Sequence, residues 1–257
     1  MFDVLNWQST VLLFTVALLG GTINGVAGGG GLVVFPTLLL LGMPPIQANA
    51  TNTASLWVGT VASTFAYREA FGGLRRELVW MTLVSLVGGL LGTLILLELP
   101  QSAFTALLPY LMLTATLLFA FGQPLIRWVR QTSVDYRLPL PLVLVVQFLV
   151  AIYIGFFGGG AGIVMLAMLE LMGFRDITTM NALKTWLAAC TNGIAILAFM
   201  AAHAVIWSQA ALMAMGALLG GYSSAYFAQQ IKPIWVRSFV ISIGSAITVY
   251  LFARAGS

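Results

Sequence analysis

Long apolar stretches alternate with short polar breaks along the whole chain. The apolar stretches cover 10–42, 46–67, 78–97, 102–122, 140–173, 177–203, 207–229 and 234–253. Between them lie Pro44 and Pro45, the run Arg75 to Glu77, Glu98 to Pro100, Arg127 to Pro141, Arg175 and Asp176, Trp207, and Lys232 and Pro233. A helix needs about 20 apolar residues to cross a hydrocarbon core, so the pattern predicts eight transmembrane segments. Two of them, 10–42 and 140–173, are too long for one untilted span. Each holds a glycine cluster: Gly28, Gly29, Gly30 and Gly31 in one, and Gly158, Gly159, Gly160 and Gly162 in the other. Glycine is a poor residue for a helix interior. Each long segment is therefore expected to be broken or re-entrant, with a new half-helix starting near residues 31 and 162.

The two glycine-bearing segments also match in register. Gly31 and Gly42 are eleven apart, as are Gly162 and Gly173, and Ile46 and Ile177 continue the alignment. After a one-residue shift, Asn49, Asn52 and Thr53 align with Asn181, Lys184 and Thr185. Later still, Gly88 and Gly92 align with Gly216 and Gly220. This is an internal duplication. It divides the chain into a first transmembrane repeat (1–122), a cytoplasmic linker (123–139) and a second transmembrane repeat (140–257). No break is long enough for a separate soluble domain.

Composition agrees. Of 257 residues, 60% are hydrophobic and 7% charged, and the mean hydropathy is +1.01. Soluble domains carry roughly 25% charged residues. The expected fold is an all-α, polytopic integral membrane protein with the lipid bilayer as its solvent. The net charge of +4 is thinly spread. It forms no basic stripe, which argues against nucleic acid as a partner. Cys190 and His203 are the sole residues of their types, too few for an intrachain disulfide, a zinc site or a Cys/His nucleophile pair. No cofactor or metal is expected. No basic residue precedes Arg68, so the first apolar segment reads as a retained helix and not a cleaved signal.

Basic residues orient the segments. If all eight simply cross, seven fall inside (Arg68, Arg75, Arg76, Arg127, Arg130, Arg137, Arg254) and three outside (Arg175, Lys232, Arg237). If both glycine-broken segments return to the side they entered, the count becomes nine inside and one outside. The positive-inside bias favours the second arrangement. Each half then makes three crossings, and the repeats are inverted, as in many transporters. A tilted, kinked helix is the alternative for either segment.

Non-helical backbone survives at membrane depth only inside protein or beside a watery cavity. A helix start there exposes free N–H groups and a positive dipole end, which attract anions. The candidate binding residues are Gly28, Gly29, Gly30, Gly31, Asn49, Asn52 and Thr53 in the first repeat, with Gly159, Gly160, Gly162, Asn181, Lys184 and Thr185 in the second. The bland reading of the clusters is tight helix packing. Gly88/Gly92 and Gly216/Gly220 have small-xxx-small spacing and read as packing, within the chain or in a homodimer. Lys184 lies about seven residues into an apolar run, roughly 10 Å along its helix. Intramembrane charge is costly and marks function by default. Its structural alternatives are snorkelling and a pair with Glu170. Glu170 is a candidate proton-coupling group.

The run from Gly25 through Gly28–Gly31 to Pro36, the second run from Gly155 to Gly162, and the polar helix starts after each resemble the sulfite exporter TauE/SafE family over nearly the whole chain. Pro36 has no counterpart in the second repeat, where Ala167 stands. The resemblance implies a multi-pass permease of the cytoplasmic membrane, of the kind found in bacteria. It implies export of a small sulfur-containing anion such as sulfite or an organosulfonate. The expected function is secondary transport of a small anionic substrate, by alternating access around a midplane site. No nucleotide-binding motif is present, so a proton or substrate gradient is the expected energy source. A passive anion channel is the first rival. An intramembrane enzyme is disfavoured, because no paired membrane carboxylates, metal cluster or Ser/His pair is offered. A structural membrane subunit has no need for Lys184 or for duplicated helix breaks.

Overall fold

The computed structural model describes residues 6–26, 28–71, 75–132, 138–230 and 233–255, and among these it is helical with no strand. Its helices are α1 (Trp7–Val26), α2 (Gly31–Leu40), α3 (Pro45–Ala66), α4 (Arg75–Glu98), α5 (Gln101–Thr132), α6 (Leu140–Phe156), α7 (Ala161–Leu171), α8 (Ile177–Ala201), α9 (Trp207–Gln230) and α10 (Pro233–Ala255), with a 3-10 turn at Arg68–Ala70. Each over-long apolar stretch is thus two helices, parted at its glycines. Helix α5 runs well into the stretch read as a linker. Arg137 and Lys232, used above for orientation, lie outside the described residues.

Among the described residues, four helical stretches are both long and apolar enough to cross a membrane: Trp7–Val26, Glu77–Glu98, Gln101–Gly122 and Ile177–Ala201. Helix α3 is long enough but diluted by polar residues. Those residues face inward: Asn49, Thr51, Asn52, Ser55, Thr60 and Ser63 are all buried. On α4 the reverse holds. Val79, Leu83, Val87, Leu91 and Ile95 step along one face and are exposed. In water that stripe would be an aggregation hazard, whereas in a bilayer it faces the solvent it suits.

Small residues set the packing and the direction of the helices. A Cβ on Gly216 or Gly220 of α9 would strike the carbonyls of Phe14 or Leu18 on α1. A Cβ on Gly88 would lie 2.7 Å from the Phe148 carbonyl on α6, and one on Gly92 would strike that of Ile152. The small-xxx-small pairs therefore serve contacts within the chain. Both registers rise together, so α1 runs parallel to α9, and α4 to α6. Likewise Gly20 meets Leu56 and Gly25 meets Ser63, so α1 and α3 run the same way. Helix α2 must then carry the chain back between them. Its 10 residues span about 15 Å. In the second half, α8 meets α4 through Trp186 and Thr82, and through Thr191 and Gly89. Helices α6 and α8 thus share α4's direction, and α7 is the returning segment.

The returning helices end alike. Gly42 and Gly173 have positive φ, and the N–H of the next residue reaches back to Leu38 in one case and Leu169 in the other. This is a Schellman-type stop. Helix α2 accommodates Pro36 without interruption, and α7, with Ala167 there, has nearly the same length.

Candidate functional site

Each glycine break is built by the same device. The chain leaves α1 and α6 at Gly28 (φ 79°) and Gly158 (φ 80°), a left-handed conformation that only glycine adopts cheaply. The Gly28 N–H donates to the Ile23 carbonyl at 3.0 Å, and that of Gly158 to Tyr153 at 2.9 Å. A polar side chain from the preceding helix then braces each break. Asn24 Oδ1 accepts from the Gly30 N–H at 2.8 Å, and the Tyr153 hydroxyl donates to the Gly159 carbonyl at 2.7 Å. Neither α2 nor α7 has a side chain capping its start.

The two breaks meet. A Cβ on Gly28 would lie 2.9 Å from the Gly162 Cα, and one on Gly162 would lie 3.3 Å from Lys184 Cδ. Around this contact is a cavity of about 80 Å³. A single water needs about 10–15 Å³ of such space, so the cavity has room for a few waters, a small oxyanion or the head of a larger one.

Most of the candidate residues come together here. Gly28, Gly29, Gly31, Asn49, Asn52 and Thr53 line the cavity from the first half, and Gly159, Gly160, Gly162, Lys184 and Thr185 from the second. Gly30 is not on the wall and packs against the Gly20 backbone. Asn181 stands behind the wall and holds Lys184. Glu170 is also off the wall, buried at the end of α7 with its carboxylate 2.8 Å from Arg175. Phe35 and Phe157 close part of the cavity as an edge-to-face pair, 5.4 Å between ring centres.

Lys184 is the one charged residue on this wall among the described residues. Its side chain is buried, and Nζ donates to Asn181 Oδ1 at 3.0 Å. It makes longer contacts to the carbonyls of Gly25, at 3.4 Å, and Asn24, at 3.5 Å. Those carbonyls end α1, where the helix dipole is negative and a cation is favoured. Lys184 therefore neither snorkels nor pairs with Glu170; it ties α8 to the end of α1. Asn49 does the equivalent from α3, donating to the Phe156 carbonyl at the end of α6 at 3.2 Å. Each half thus reaches the broken helix of the other.

Two acceptors are left over. Asn49 Oδ1 and Asn52 Oδ1 are buried and find no protein partner among the described residues. Buried polar atoms in native proteins are nearly always paired, so these two oxygens point to an occupant that brings hydrogen-bond donors, such as water. The hydroxyls of Thr53 and Thr185 donate to the carbonyls of Asn49 and Asn181 on their own helices.

Asn24, Thr60 and Asn192 also line the cavity, and the sequence analysis did not single them out. Asn24 carried a usable signal, being an amide far into an apolar helix just before a glycine cluster. Asp176 is the N-cap of α8, accepting from the Thr178 and Thr179 N–H groups at 3.3 and 2.8 Å. The Thr179 hydroxyl, followed by these N–H groups, holds its carboxyl below the usual range.

The chain matches the family model of the sulfite exporter TauE/SafE over residues 13–251. It is 33% identical over 250 residues to "Probable membrane transporter protein ORF9" of Sinorhizobium sp, covering 95% of this chain and 93% of that one. It is 30% identical over 248 residues to "Probable membrane transporter protein" of Haemophilus influenzae, covering 95% of each. "Probable membrane transporter protein YfcA" of Escherichia coli K12 is 28% identical over 247 residues, covering 93% of this chain and 88% of that protein. No solved structure matches.

Proposed function

The chain belongs to the sulfite exporter TauE/SafE family of membrane transporters, and on that premise we propose that it is a secondary transporter of a small sulfur oxyanion, with sulfite the first candidate. The carrying observation is the cavity at the meeting of the two helix breaks, with Lys184 its one charged wall residue among those described. The ammonium and the glycine-exposed backbone offset the anion's charge, and the free Oδ1 acceptors of Asn49 and Asn52 take a donor that comes with it, a water or the proton of the singly protonated anion. The cavity of about 80 Å³ has room for sulfite whole and for only the head of a larger sulfonate.

The mechanism we propose is rocking of two inverted repeats around this site, with export from the cytoplasm across the inner membrane. Three observations support the inversion. The helix pairs exchange consistently between halves: α1 on α9 with α6 on α4, α3 on α9 with α8 on α4, α5 on α7 with α10 on α2. Helix α3 is parallel to α9, judged from Gly59 against Ala217 and Ser63 against Gly221. And α9 follows α8 through five residues, 202–206, so α8 opposes α3.

The test is flux of sulfite into proteoliposomes against sulfate and acetate controls, with Lys184→Met beside the wild type. Saturable sulfite flux that the variant loses supports the reading. Equal flux in both proteins, or none in either, counts against it.

A further inference from the structure

A second, larger and more open space of about 960 Å³ lies on the other side of the seam between α3 and α8, with Phe65, Trp186 and Leu197 exposed on its walls. Its walls are mostly apolar, and Arg68 is their one charged residue among those described. The two cavities share the same helices. On α3, Leu56 and Thr60 face the central cavity, whereas Trp57 and Val61 face the larger one. On α8, Ala188 and Asn192 face the central cavity, whereas Ala189 and Gly193 face the larger one. The partition is therefore one seam thick, and Trp57 lies against it on the side of the larger space. Its indole Nε1 donates to the Ala189 carbonyl at 2.8 Å. The ring rests on Gly193, where a Cβ would lie 3.3 Å from Nε1.

Two features suit this contact to opening. A helix carbonyl already accepts from the N–H four residues on, so releasing the indole leaves Ala189 satisfied. And in the duplicated register that aligns Asn49 with Asn181, the counterpart of Trp57 is Ala189 itself. A large ring thus stands on one side of the seam and a methyl on the other.

We infer that Trp57 is the gate between the central anion site and this vestibule. This rests on the transport reading above. With the indole across Ala189 and Gly193, a small anion is shut in beside Lys184. When the ring swings off the seam, the two spaces join and the anion passes toward Arg68. The opening left by one indole then limits the width of what passes, which makes Trp57 a specificity residue as well as a barrier.

Cys190, a wall residue of the vestibule, makes the test direct. Ala188→Cys in a Cys190→Ser background places the thiol on the central side instead. Both proteins are treated with methanethiosulfonate ethylsulfonate, a small anionic thiol reagent. The Ala188→Cys protein is expected to react slowly, and the added Trp57→Ala change to speed it at least about tenfold, with Trp57→Phe between them because it keeps a ring but loses the hydrogen bond. Gly193→Ala, which pushes the indole without altering it, is expected to speed labelling too, and it keeps the test available should Trp57→Ala not fold. Labelling unchanged by Trp57→Ala and by Gly193→Ala overturns the gate. If labelling changes as expected but the parent moves no sulfite, the gate stands and the transport reading falls.

Discussion

Replacing Lys184 with methionine separates a binding role from a structural one. The side chain is 2% exposed and donates to Asn181 with two longer contacts to α1 carbonyls. Methionine keeps the length and the packing but removes the charge. Taking a buried ammonium away removes its desolvation cost but leaves the buried Asn181 Oδ1 without its donor, so the unliganded stability is expected to fall by about 1–3 kcal/mol. Binding is different. A unit charge about 4 Å from an anion is worth about 4 kcal/mol at an effective dielectric near 20, and charge-assisted hydrogen bonds measure about 1.5–3 kcal/mol net. The lower range is the better guide, and it corresponds to a weakening of about 10- to 100-fold. At a sulfite concentration 100 times the wild-type Kd, binding stabilises the wild type by about 2.7 kcal/mol, and a variant 100-fold weaker by about 0.4 kcal/mol. Thermal unfolding in mild detergent reads both quantities at once. Sulfite stabilisation that survives intact in Lys184→Met would refute the argument. A variant that unfolds far more easily without ligand would show instead that the tie from α8 to α1 is the main role of this lysine.

Gly28→Ala should cost about 2–3 kcal/mol, because the residue has φ 79° and its Cβ would meet the Gly162 backbone; unfolding midpoints check this, and sulfite binding should fall with it. Asp176→Ala should cost about 1 kcal/mol at neutral pH through loss of the α8 cap. Because hydrogen bonds hold the Asp176 carboxyl below the usual range, its stabilisation is present above that range and is lost as pH falls through the lowered value. The gap between wild type and variant in thermal unfolding should therefore close in acid. Glu170→Gln weakens a pair whose arginine is 45% exposed, at an expected cost of about 1–2 kcal/mol, and should leave sulfite binding unchanged because Glu170 is off the wall. If flux by this variant keeps its pH dependence, Glu170 is not the proton-coupling group.

Much of the fold was legible because membrane physics leaves little choice. Apolar length marked the helices, and consecutive glycines marked the breaks between α1 and α2 and between α6 and α7. The repeat in register pointed to matched ends such as Gly42 and Gly173. Helix α3 was harder to read, since its hydropathy is lowered by residues whose burial only the packed structure reveals. The candidate site was legible where a residue violated its surroundings, as Lys184 does in an apolar helix, and where the duplication aligned Asn49 and Asn52 with Asn181 and Lys184. Tyr153 is not, because a tyrosine in an apolar helix is ordinary and only its bond to Gly159 gives it a role. Gly30 sits in the cluster but serves contact with Gly20, a difference that composition cannot register. The partner of Glu170 was also beyond reach of spacing alone. Arg175 is close in sequence to it, but so many basic residues flank membrane segments that proximity singles out none of them.

On the proposed reading, the contacts that hold the halves in this arrangement also explain why occupancy would release them. Lys184 reaches the end of α1 and Asn49 the end of α6, while Trp57 bars the seam between α3 and α8. Each is a hydrogen bond of modest net worth, about 1 kcal/mol, added to the packing of α1 and α3 on α9 and of α6 and α8 on α4 that also joins the halves. A ligand shifts such an equilibrium only through different affinity for the two states. An anion drawn to Lys184 competes for the same ammonium that the Gly25 and Asn24 carbonyls share, at 3.4 and 3.5 Å. It therefore weakens the tie between the halves while it binds. The site and the brace use one charged group, and that is what couples filling the cavity to moving the repeats.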